Sequence, residues 1–323
     1  VELPPEAAPL EPLLVERSRR PITTARAWQA RRAQLRERWL DFLGRFPEDR
    51  GPVRLTLLEE DRPAGCVRQR VLYEAEPGLP VEGYLLFPAV VRDRVPGVVV
   101  LHQTTEATIR EPAGLEGPES LHFALKLARR GFAAFAPRCF VWQYRDRDYL
   151  DAVRWLAQRQ PGVRGLAKML HDARRALDVL QSLPFVDGER LGAIGHSLGG
   201  KQTLFLAAFD ERVKAAVSSE GGIGLSFCNW HAPWYLGPEI RRRGFPLENH
   251  QVLALVPPRA FLLLGGDCTD GDKSWPFIAA VLPIYDLLGA PRRLGLYNHR
   301  HGHSVPPLAE ERAYQWLEHF LAK

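Results

Sequence analysis

The chain has 323 residues, 46% of them hydrophobic, which is enough apolar material for a sizeable core in one large α/β fold or two smaller domains. Its net charge of +5 is scattered without a long single-sign block, which argues against a nucleic-acid binder and makes Arg241-Arg242-Arg243 read as a solvated face. Cys66, Cys139, Cys228 and Cys268 show no C-x-x-C spacing, so neither a zinc site nor a disulfide framework is signalled, and no apolar run approaches a membrane span.

Residues 1–50 read as an N-terminal arm and helix. The arm, to about residue 21, is rich in Pro and polar groups; "TTARAWQARRAQLRERWLDFLGRF" then shows helical spacing with Thr23 or Thr24 as cap. Residues 51–323 read as one large α/β domain. It opens with "VRLTLLEE", "CVRQRVLYEAE" and "VEGYLLFPA", short runs separated by turns and expected to pair antiparallel at a sheet edge. "VPGVVVLHQ" and "FAAFAP" are strands buried on both faces. "RLGAIG", "VKAAVSS", "RAFLLLGG" and "RRLGLYN" continue the series, with amphipathic helices between them. The alternation predicts an α/β class protein with a mostly parallel, doubly wound sheet and helices on both faces. Residues 139–165 and 221–250 break the alternation; both are long and aromatic, and are expected to be irregular insertions shaping a binding site.

The chemistry centres on "LGAIGHSLGGKQ", where a buried strand meets a helix at Gly195-His196-Ser197-Leu198-Gly199. A nucleophilic serine needs its hydroxyl held clear of the backbone, near a base, with N–H donors aimed at the oxyanion. A turn this sharp leaves no room for side chains two residues before or after the serine, hence Gly195 and Gly199. Ser197 is the expected nucleophile, and Leu198 N–H one oxyanion donor; Thr104 N–H is the second, with Gln103 next. The base is expected after the last strand: His303, with His301 as alternative. The acid is expected after the preceding strand, where Asp270 is favoured over Asp267. His299, His301 and His303 lack an acidic or thiol partner at ligand spacing, so no metal is assigned. His196 reads as packing under the turn.

These segments, with "LARRGFAAFAP", "DARRALDVLQSLPFVDGERLGAIGHSLGGKQ", "PPRAFLLLGGDCTDG" and "HGHSVP", resemble the α/β-hydrolases of the dienelactone hydrolase and acetyl xylan esterase type over roughly residues 70–322. Dienelactone hydrolases proper use a cysteine nucleophile; Ser197 in that place argues for esters as substrates. A narrower resemblance is to glucuronoyl esterases, which carry a lysine four residues after the serine and a glutamate at the end of the next strand. Lys201 and Glu220 occupy those places. The resemblance implies that Lys201 contacts sugar hydroxyls and that Glu220 is an alternative triad acid. Leu198 stands where those enzymes have Arg. Without the resemblance, Lys201 reads as a helix-surface lysine and Glu220 as a strand-end acid paired to an arginine. Trp142, Trp230 and Trp234 are candidate sugar-stacking groups, or simply lid packing.

The expectation is a serine carboxylic-ester hydrolase acting through a Ser-His-Asp triad on a small-molecule or carbohydrate-linked ester. It needs no cofactor, and no nucleic-acid or membrane partner is expected. The alternatives are a glucuronoyl esterase-like enzyme using Glu220, a prolyl-oligopeptidase-type peptidase, and an inactive hydrolase-fold binding protein. The first residue is Val, and the expected location is cytoplasmic or secreted with a leader removed.

Overall fold

The structure, a computed structural model, describes residues 2–16, 18–46 and 51–322. In chain order the elements are α1 (Ala25–Leu43), β1 (Leu55–Asp61), β2 (Cys66–Glu76), β3 (Leu79–Pro88), β4 (Val95–Leu101), α2 (Phe123–Arg129), β5 (Ala133–Pro137), α3 (Phe140–Gln143) and α4 (Tyr149–Arg159). There follow α5 (Gly165–Ser182), β6 (Val186–His196), α6 (Leu198–Phe209), β7 (Val213–Ser219), α7 (Asn249–Leu253), β8 (Ala260–Gly265), α8 (Trp275–Leu287), β9 (Leu294–Asn298) and α9 (Pro307–Leu321).

One nine-stranded sheet runs β1-β2-β3-β5-β4-β6-β7-β8-β9. β1, β2 and β3 pair antiparallel, and β3 meets β5 antiparallel; from β5 to β9 every pairing is parallel. The composition of β4 explains its central place. Side chains alternate across a strand, so Val98 and Val100 enter the core under α2 and α9, while Val99 and Leu101 enter the larger core under α5 and α6. Such a strand has no polar face, which is why the run reads as continuously apolar.

The antiparallel edge, the parallel series and the helices follow the sequence reading, and Thr24 caps α1 by accepting the Ala27 N–H at 3.2 Å. Residues 139–165 depart from it, since they hold two helices. The signal for α4 is its capping box: Asp148 accepts the N–H groups of Leu150 and Asp151, while Asp151 reaches back to the Asp148 N–H. Residues 221–250 are turns, a short 3-10 helix at Pro238–Arg241 and the start of α7. Helix α1 shares the larger core: Trp28, Leu35, Trp39 and Leu43 are buried, and the Trp39 ring meets Phe205 of α6 edge to face at 5.5 Å.

Candidate active site

β6 ends at His196 and α6 begins at Leu198, so the turn between them is Ser197 alone. Its backbone sits at φ 56, ψ −115, a region serine rarely adopts, and its N–H donates to the Ser219 carbonyl at 2.8 Å. A Cβ on Gly195 would come within 2.4 Å of the Gly199 carbonyl, and one on Gly199 within 1.9 Å of the Leu101 carbonyl oxygen. Those oxygens are backbone and cannot swing aside, so both glycines are enforced by close approach. From Leu191 to Asp210 every residue except Ser197 is buried. The Leu198 N–H lies in the first turn of α6, where amide donors have no partner within the helix.

His303 lies in the β9–α9 loop, its side chain 36% exposed, with its ring 4.7 Å from that of His196 beside the serine. Its Nδ1 is 3.2 Å from Glu220 Oε2. Glu220 follows β7 with φ 48 and is fully buried. Its carboxylate also accepts the N–H of Gly266, the N–H and hydroxyl of Thr269 at 2.7 and 3.0 Å, and the N–H of Asp270 at 3.3 Å. Burial works to raise its pKa, but the bonds from His303, Thr269 and Gly266 outweigh it and hold it at about 2.

The acids expected after β8 are placed otherwise. Asp270 is fully buried, and its carboxylate accepts the N–H groups of Gly222 and Ile223 at 2.7 and 2.8 Å and the Ser274 hydroxyl at 2.8 Å. It braces the turn after Glu220, and burial pushes its pKa up. Asp267, exposed at φ 68, accepts from Asn298 Nδ2 at 2.6 Å. The carboxylate that meets His303 is therefore that of Glu220, not of Asp270: the β8–α8 loop contributes backbone donors where an acid was expected. His301 is exposed and stacks on His299, with its N–H on His299 Nδ1, away from Glu220.

The loop after β4 is fixed by a residue the sequence reading passed over. His102 is buried; its Nδ1 lies 2.7 Å from the Gln103 carbonyl oxygen, and its Nε2 accepts the Cys139 N–H at 3.1 Å. Because Nε2 is the acceptor, Nδ1 carries the proton, and burial keeps the ring neutral with its pKa down at about 4. The Gln103 C=O and the Thr104 N–H are opposite ends of one planar trans peptide, so holding the oxygen aims the N–H the other way.

Lys201 is not on a helix surface. Helix α6 is buried on every side, and Lys201 Nζ donates to the Gly221 carbonyl at 2.5 Å and to Cys228 Sγ at 3.2 Å, 5.0 Å from the Trp230 ring centre. Burial lowers its pKa. Trp230 is fully buried, its Nε1 donating to the Gly222 carbonyl at 2.6 Å. Trp142 is nearly buried against His102, and Trp234 is half-buried against Tyr149. Among the described residues, one candidate metal-ligand trio converges: atoms of Glu220, Cys268 and His303 lie within 4.8 Å of one another. A metal ion there would have to displace the donors already filling Glu220. Among the described residues no helix is long and apolar enough to cross a membrane.

Residues 81–229 match the dienelactone hydrolase family. A protein of Bacillus subtilis (strain 168) named "Putative hydrolase YtaP" is 26% identical over 247 residues, covering 73% of this chain and 80% of its own. A glucuronoyl esterase from Solibacter usitatus superposes with a TM-score of 0.77 at 18% identity over 98% of each chain. A glucuronoyl esterase from Teredinibacter turnerae T7901 does so with a TM-score of 0.73 at 20% identity, over 96% of this chain and 89% of its own.

Proposed function

We propose that this chain, an α/β-hydrolase carrying a dienelactone hydrolase family domain, is a serine carboxylic-ester hydrolase whose acid is Glu220. The supporting observation is the contact between buried Glu220 and His303 beside the strained, accessible Ser197. Ser197 Oγ attacks the ester carbonyl while His303 Nε2 takes its proton. Glu220 orients the imidazole through Nδ1–H and stabilises the imidazolium that forms. The N–H groups of Leu198 and Thr104 receive the oxyanion. His303 then protonates the leaving alcohol, and water, activated by the same imidazole, releases the acyl group.

A carbohydrate-linked ester is the substrate class that Lys201 favours. Its ammonium stands one helical turn beyond Ser197, with two of its three donors taken by Gly221 and Cys228. The test is hydrolysis of p-nitrophenyl acetate by the wild type and Ser197→Ala, with active-site phosphonate labelling alongside. Turnover and labelling that both vanish in the variant support the reading. A folded wild type that neither turns over nor labels would overturn it.

A further inference from the structure

The proposed chemistry makes no use of Arg241-Arg242-Arg243, three exposed guanidinium groups in succession. The run is anchored at both ends. Arg164 donates to Glu239 Oε2 at 3.1 Å and to the Leu236 carbonyl at 2.5 Å, tying down the helix that leads into it. After it, the Phe245 ring meets Phe42 of α1 edge to face at 5.0 Å. Among the described residues no carboxylate lies within ion-pair distance of the three arginines; Glu239, on the same turn, is engaged by Arg164.

The arginines line a cleft of about 720 Å³, together with arm residues 6–9 and, from the segment after β7, Leu225, Cys228 and His231. Cys228, in the cleft wall, contacts the helix that begins after Ser197. Its Sγ is 3.2 Å from Lys201 Nζ, and Lys201 is one helical turn beyond Ser197. The cleft's field is positive. Partial burial and Arg241 hold the His231 imidazole below its usual range. Of the two acids in the lining, Glu248 is pushed up to about 7 by burial and accepts the N–H groups of Leu225 and Asn249, which leaves Glu6 against three guanidinium groups.

We propose that this cleft binds the acidic part of the ester substrate: a saccharide whose carboxylate groups rest on Arg241, Arg242 and Arg243 while its ester reaches Ser197 past Cys228. The assignment rests on the esterase reading above. Guanidinium forks match carboxylates in plane and in pairs, and a neutral sugar would leave all three uncompensated. The three guanidinium groups gather in one cleft rather than along a stripe, as a nucleic-acid backbone would require.

The test is calorimetric binding to the Ser197→Ala protein of oligogalacturonate and of a neutral xylo-oligosaccharide of equal length. We expect the acidic chain to bind more tightly and to weaken with salt. R241Q/R242Q/R243Q should reduce its affinity at least tenfold without altering the thermal transition, and Arg242→Gln alone should have a smaller effect in the same direction. Binding no tighter than that of the neutral chain, binding indifferent to the substitutions, or equal binding of a single-stranded oligonucleotide would each overturn the proposal. The p-nitrophenyl acetate assay on the wild type tests the esterase reading separately, so the two failures are distinguishable.

Discussion

His303 Nδ1 and Glu220 Oε2 stand 3.2 Å apart across 83 residues of sequence, joining the β9–α9 loop to the end of β7. The carboxylate is held by the backbone of a third segment, Gly266 to Asp270, so Glu220 cannot drift without unmaking several other bonds.

Glu220→Gln removes the charge that stabilises an imidazolium and should lower kcat by about 10² to 10⁴. Asp270→Asn replaces with an NH2 donor one of the two oxygens that each accept a backbone N–H, and leaves the partner of His303 untouched. It should cost about 1–3 kcal/mol of stability and change kcat less than about tenfold. Steady-state kinetics and urea denaturation of the two variants, side by side, check both halves. A larger loss of kcat in Asp270→Asn would return the acid to the β8–α8 loop.

The Glu220 carboxyl sits at about 2 in the folded protein against an ordinary value of 4.5, so it favours folding while ionised. That contribution, about 3 kcal/mol, is complete above the unfolded value and disappears as pH falls toward the folded one. Wild-type stability should drop by about 2 kcal/mol more than that of Glu220→Gln between about pH 5 and pH 3. Parallel urea titrations of the two proteins at both pH values would show whether the slopes differ.

His102→Gln should act on the oxyanion donor rather than on substrate affinity. With the Gln103 peptide no longer anchored, kcat should fall about tenfold or more while KM for a small ester stays put. If KM rises instead and kcat holds, His102 shapes the pocket and does not aim Thr104.

Lys168 on α5 is fully buried between Glu76 at 2.8 Å and Asp172 at 2.6 Å. Lys168→Met would strand two carboxylates in the core and should destabilise by about 3–5 kcal/mol. Adding Asp172→Asn should recover part of the loss, since one uncompensated charge is then removed; a double-mutant cycle in urea measures this.

The elbow was legible because its constraint is local: two glycines, one serine, a buried strand before and a helix after. His303 was legible from its position after the last strand. The carboxylate facing His303 was legible only through the glucuronoyl esterase resemblance, which offers Glu220 as an alternative; chain order alone favours the loop after β8 and Asp270. What selects Glu220 is the set of N–H donors from Gly266, Thr269 and Asp270, which assembles only in three dimensions. On residue type alone Lys201 reads as a surface group, but α6 is apolar nearly all round, and such a helix has no surface for a lysine to occupy. The role of His102 left no local trace, since its partner Cys139 lies 37 residues away.

The packing of Trp39 on Phe205 gives the N-terminal helix an importance its position in the chain conceals. Helix α1 lies outside residues 81–229, yet it covers the flank of the helix that begins directly after Ser197. Proteolysis just after α1 would therefore expose a wet hydrophobic scar on the elbow's own support, and a synthetic peptide of residues 18–46 supplied in trans should heal it. The fold would then behave as a two-piece enzyme whose activity titrates with a helix that contributes no chemistry.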